Sequence, residues 1–185
     1  MAMAEISHKP HVLLFPFPTV GHINPMSLLA DHLVASGDVD ITLIHTTRTL
    51  AFLQQQQKNV SIMEASLSNG IKIEVIEDLL DAVEDKSVPL SPSVVLFIDS
   101  IPHLKMKLEE LLHRLTKSIL EKDRGYHPPC CIISDSFLPW TQDVANKFNI
   151  PRIEFWSSSV TVYAMGFHIP QLLDKGYLPV KPGAS

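Results

Sequence analysis

The stretch His11-Val-Leu-Leu-Phe-Pro-Phe17 is an almost unbroken apolar run, and it constrains the fold more than any other part of the 185-residue chain. A half-exposed strand alternates apolar with polar residues, so a run of this kind must be buried on both faces. Two-sided burial is the mark of a parallel sheet covered by helices on each side, with this strand away from the edge. The next residues agree. Asn24-Pro25 supplies an N-cap and a proline for the first helical position, Met26, Leu29, Ala30, Leu33 and Val34 recur at helical spacing, and Gly37 offers a left-handed residue to close the helix. Residues 39–45 read as a second strand, with Ile41, Leu43 and His45 on one face and Thr42 and Ile44 on the other. Strand, helix and strand in this order cross over right-handedly and build a parallel sheet.

The alternation continues to the end of the chain. Thr46-Thr47 caps a short helix over 47–57, Asn69-Gly70 is a turn, and 71–76 alternates as a third strand. A long helical pattern then runs from Ser91-Pro92 to about residue 122, kinked near Pro102, with Leu104, Leu108, Leu111, Leu112, Leu115 and Ile119 as its core stripe. Residues 130–134 form a fourth strand, 140–148 a helix, and 151–156 a fifth strand that delivers Ser157, Ser158 and Ser159. The expected organisation is a tail at 1–10, one α/β domain at 11–175 and the start of a linker at 176–185, where glycine, proline and serine gather.

Composition excludes several classes. With 45% hydrophobic and 19% charged residues the chain is globular, and no run approaches the roughly 20 apolar residues of a membrane span. The net charge is −5, and seven acids between Glu64 and Asp85 stand against the single Lys72, so nothing resembles a footprint for nucleic acid. That acidic stretch reads as a solvated face. Polar Ser7, His8 and Lys9 precede a short apolar run with no small-residue cleavage site, so a secretory signal is not expected. The two cysteines, Cys130 and Cys131, are adjacent and cannot staple distant segments. Together these features point to the cytoplasm.

In open α/β sheets ligands bind beyond the carboxyl ends of the strands. Thr19 and His22 follow the first strand, Asp135 the fourth and Ser157 the fifth. The loop after the first strand contains neither G-x-G-x-x-G nor G-x-x-x-x-G-K-[ST], which removes the usual anchor for a dinucleotide or a phosphate loop. It holds instead a histidine at the start of a helix, whose positive end favours the neutral ring. A neutral histidine beside a carboxylate can take a proton from a hydroxyl while the carboxylate orients the ring. The same residues also read more simply, His22 as a loop histidine, Asp135 as the cap of the next helix and the serines as a cap of their own. The remaining histidines show no metal-ligand spacing, although His45 stands at a strand end where it could line a pocket.

Three segments carry a resemblance: His11-Val-Leu-Leu-Phe-Pro-Phe-Pro-Thr-Val-Gly-His22-Ile-Asn-Pro-Met, Cys131-Ile-Ile-Ser-Asp135-Ser-Phe-Leu-Pro-Trp140, and Ile150-Pro-Arg-Ile-Glu-Phe-Trp156-Ser157. In this order, with 22 residues from Asp135 to Ser157, they resemble the N-terminal half of plant-type family 1 UDP-dependent glycosyltransferases. The resemblance implies a Rossmann-like acceptor-binding domain of the GT-B fold and metal-independent, inverting transfer. It implies His22 as general base, Asp135 as its partner, and Thr19, Trp156 and Ser157 near the phosphates and sugar of the donor. Ser157 stands where threonine is common and keeps the hydroxyl. The implied co-substrate is a UDP-sugar, with glucose expected and no cofactor. The implied acceptor is a small, partly apolar molecule such as a phenolic. The family's C-terminal signature for the donor is not found here, so the donor-binding domain is expected to be missing and the 185 residues alone to be inactive. A non-catalytic small-molecule-binding module or a truncated regulatory module is the alternative. An oxidoreductase is disfavoured by the missing glycine-rich loop.

Overall fold

The computed structural model describes residues 9–56, 70–78, 94–117 and 127–178. The chain falls into two compact units, Met1–Phe155 and Trp156–Ser185. The first is built on five strands, β1 (His11–Phe15), β2 (Asp40–Thr46), β3 (Ile71–Ile76), β4 (Pro129–Asp135) and β5 (Arg152–Phe155). They form one sheet in the order β3-β2-β1-β4-β5, with every neighbouring pair parallel. The connecting helices are α1 (Val20–Ala35), α2 (Thr47–Gln56), α3 (Val94–Lys117) and α4 (Thr141–Lys147). The second unit carries α5 (Val160–Asp174), capped by Ser159, whose Oγ accepts from Val162 N at 3.3 Å.

β1 is central and feeds both cores. Leu13 and Phe15 join Ile44, Ile132, the leucines of α3 and Val144 of α4 on one face of the sheet. Val12 and Leu14 join Met26 and Ala30 of α1 with Ile41, Leu43 and Ile71 on the other. All five β1 residues are buried, which is the two-sided burial that the apolar run requires. Leu104, Leu108, Leu111, Leu112 and Leu115 of α3 are also buried, as their spacing predicts. Among the described residues, no helix is long and apolar enough to cross a membrane.

Local expectations hold at several element ends. Thr46 Oγ1 accepts from Thr49 N at 3.3 Å and so caps α2, and Gly37 sits at φ +76° just beyond α1. Two differ. β1 stops at Phe15, because Pro16 and Pro18 have no N–H to continue the ladder. α1 begins at Val20, with Thr19 as its extended N-cap residue at φ −135° and ψ 151°, so Asn24-Pro25 lies inside the helix instead of opening it. The cause is burial: Ile23 continues the Met26 and Ala30 stripe one turn back and is itself buried, while Pro25 gives up only a bond to the Gly21 carbonyl. Most of the acidic stretch, residue 57 and residues 118–122, with Ile119, lie outside the described residues.

Candidate functional site

The site is assembled at the carboxyl ends of the two central strands. β1 and β4 are neighbours, and their register ends with Phe15 opposite Ser134, so Asp135 emerges beside the loop that leads to α1. That loop is tightly wound. Thr19 N donates to Phe17 O at 2.8 Å, and the Thr19 carbonyl accepts from His22 N at 3.0 Å and Ile23 N at 2.9 Å. His22 is thereby held in the first turn of α1, on the side that faces β4.

His22 Nδ1 lies 2.8 Å from Asp135 Oδ2 although 113 residues separate them in sequence. An ionised carboxylate only accepts, so Nδ1 carries a proton and donates it to this contact, and in the neutral ring Nε2 then holds the lone pair. Asp135 has no exposed side-chain surface, and the His22 side chain keeps 15%. The other carboxylate oxygen, Oδ1, accepts from Phe137 N at 2.9 Å. This turn uses the oxygen that sequence reasoning offered as a helix cap, since α4 starts only at Thr141 and has no side-chain cap. A fully buried carboxylate thus accepts from a backbone donor on one oxygen and faces an imidazole with the other. The arrangement can take up a proton at Nε2 and stabilise the resulting charge.

Two phenylalanines frame the ring. The Phe17 and Phe137 centroids lie 5.2 Å and 4.9 Å from that of His22, and the two phenyl rings meet edge to face at 5.6 Å. Phe137 is about half exposed, so the histidine borders an aromatic surface open to a ligand. Neither residue stands out in the sequence. Phe17 reads as part of the apolar strand run, whereas the spacing Asp135-Ser-Phe137 is a signal for an aspartate turn with an aromatic ring beyond it.

The other candidates are placed as follows. Thr19 is half-buried at the start of α1, and its hydroxyl does not cap the helix. Trp156 and Ser157 belong to the second unit, where Trp156 Nε1 donates to Ser159 O at 3.1 Å and the indole packs on Tyr163 at 5.1 Å. His45 is buried on β2, and desolvation lowers its pKa to about 4. Among the described residues, no group of three or more histidine, cysteine, aspartate or glutamate side chains could hold a metal ion.

No family model matches the chain. Individual relatives do. Mogroside I-E synthase of Siraitia grosvenorii is 31% identical over 163 residues, covering 86% of this chain and 31% of the relative. UDP-glycosyltransferase 85C2 of Stevia rebaudiana is 31% identical over 192 residues, covering 97% of this chain and 34% of its own length. The chain therefore spans about a third of the curated relatives it matches. In fold it is similar to a UDP-glucose:anthocyanidin 3-O-glucosyltransferase solved with UDP, with a TM-score of 0.66 at 23% identity over 95% of this chain and 36% of that one.

Proposed function

Because the chain belongs with the N-terminal, Rossmann-like part of the plant-type UDP-glycosyltransferases, we propose that it is the acceptor-binding domain of an inverting glycosyltransferase. The domain extends over 11–175, and 176–185 begin the linker to a donor-binding domain. The observation that carries this reading is the 2.8 Å contact between His22 Nδ1 and the fully buried Asp135. Nε2 of His22 removes the proton of an acceptor hydroxyl, and Asp135 holds the ring and stabilises the imidazolium that results. The acceptor oxygen attacks the anomeric carbon from the face opposite UDP. The bond to the diphosphate breaks, and an α-linked donor yields a β-glycoside. UDP-glucose is the donor we assign, as co-substrate with no further cofactor or metal.

The exposed Phe137 ring beside His22 favours a small, partly apolar acceptor such as a phenolic. Thr19, Trp156 and Ser157 are assigned to the phosphates and sugar of the donor, on the resemblance of the motifs that contain them. Most of the grip on the donor comes from the donor-binding domain, so the 185 residues alone do not transfer sugar at a measurable rate. Holding two reactants in line is worth about 7–11 kcal/mol in well-oriented cases, and a domain that holds one of them forgoes it. We assign the cytoplasm as its compartment, in keeping with Cys130 and Cys131 as free thiols.

The test is to incubate a complete enzyme built on this domain with radiolabelled UDP-glucose and a panel of phenolic acceptors, with the isolated chain in parallel. The complete enzyme should form β-glycosides and the isolated chain none. A complete enzyme that binds the phenolics without turnover would favour a binding module instead.

A further inference from the structure

Arg152 opens the edge strand β5, yet its side chain is only 8% exposed. It lies under the end of β4. Nε donates to Ser134 Oγ at 2.7 Å and to Thr141 Oγ1 at 2.9 Å, and Nη2 donates to the Asp135 carbonyl at 3.1 Å. The hydroxyls are ordered by a further contact. Thr141 Oγ1 gives its own proton to Leu138 O at 2.7 Å, so across the 2.7 Å gap between the two hydroxyls Ser134 is the donor and Thr141 accepts. One guanidinium therefore joins the last two residues of β4 to the first residue of α4. Removing a cation from water is costly unless bonds and charges compensate, and Glu154 approaches only to 3.7 Å. An apolar residue paired with Ile132 in the register would fill this position without that cost. What an apolar residue could not do is hold the Asp135 backbone.

We propose that Arg152 is a positioning residue for the His22–Asp135 pair, fixing the peptide unit from which the Asp135 carboxylate is aimed. The Asp135 carbonyl accepts from Leu138 N at 2.9 Å as well as from Arg152, while its Oδ1 accepts from Phe137 N. These bonds tie the Asp135 peptide and one carboxylate oxygen to their neighbours and so help to set where Oδ2 points. Ser134 and Asp135 are buried and close to β1, so a small displacement of the β4 end is carried directly to the contact with His22. Arg152 acts through Asp135, and its meaning for catalysis rests on the function proposed above. The alternative is that it only fastens β5 and α4 to the sheet, in which case its loss would lower global stability and leave the His22 ring as it is.

The two are separated by nuclear magnetic resonance on the ¹⁵N-labelled 185-residue chain, following the ring Nδ1 proton of His22, assigned by its loss in His22→Gln. Exchange of this proton with water is measured well below the unfolding temperature. Arg152→Met should accelerate it about tenfold or more, as expected when a charge-assisted bond supporting the acceptor is lost, and Arg152→Lys should fall between. Lys105→Met, which removes an exposed ion pair between α3 and Asp143 of α4, should leave it unchanged. If the methionine variant does not fold, Arg152→Lys and Ser134→Ala, each removing part of the fork's grip, carry the comparison. Exchange equal to that of the unsubstituted chain in the folded variants overturns the proposal, and so does the lack of a protected ring proton in the unsubstituted chain. The readout needs no sugar transfer. Faster exchange in Arg152→Met together with full activity in His22→Ala would refute the reaction while leaving the coupling of Arg152 to the pair intact.

Discussion

Asp135 uses both oxygens of one buried carboxylate, Oδ1 for Phe137 N and Oδ2 for His22 Nδ1. Phe137 N can only donate, and an ionised carboxylate accepts from it on one side and from His22 Nδ1 on the other. Asp135→Asn keeps the shape but presents an NH₂ group to one of them. If it faces His22, the ring must turn Nδ1 into an acceptor and move its proton to Nε2, where the base is needed. A complete enzyme with Asp135→Asn should therefore lose roughly 10²-fold or more in kcat with acceptor KM little changed, read from steady-state kinetics. This pair was legible in the sequence because both residues follow apolar strands, where open sheets place their ligands. Its frame was not. Phe17 was hidden in an apolar run, and Arg152 was hidden in a strand whose interest lay in the serines it delivers. Neither position differs from ordinary packing until the neighbouring strand is known.

At the scale of the element, burial decides where periodicity and local signals compete. α3 is the clearest case of periodicity alone, since Leu104, Leu108, Leu111, Leu112 and Leu115 were readable as a stripe and are all buried. Leu108 has no exposed surface, so Leu108→Ala should leave a cavity and cost about 2–5 kcal/mol in urea unfolding. Gly37 presents the backbone counterpart. At φ +76° a side chain is strained however open the space, and Gly37→Ala should cost about 1 kcal/mol in the same measurement. The start of α1 shows where local reading ends. Asn24-Pro25 is the stronger cap on paper, but burying Ile23 is worth about 1.5–3 kcal/mol, comparable with what a helical proline forgoes. Sequence at residues 24 and 25 does not contain that comparison, because it depends on β2 and β1 lying beneath the helix.

For the molecule as a whole, two buried histidines tie stability to pH. Desolvation lowers the pKa of His45 to about 4, and burial also lowers that of His11, whose ring bonds to the His127 carbonyl and to Thr42 Oγ1 at 2.7 Å each. Above about pH 6.5 neither the folded nor the unfolded chain protonates them, so their contribution is constant. Below it the unfolded chain takes the protons first. Stability therefore falls from about pH 6.5 down to about 4, by about 3 kcal/mol from His45 alone, and urea midpoints across that range should show the loss. His45→Gln should flatten the curve. The same fold that buries these two histidines leaves His22 at the open end of the sheet, and the account turns on what that ring does. The most direct measurement is the turnover of a complete enzyme built on this domain, with saturating UDP-glucose and a phenolic acceptor, for the parent and for His22→Ala. Loss of the general base predicts a fall in kcat of at least about 10²-fold. Turnover equal to that of the parent would contradict the role of His22 and, with it, the mechanism.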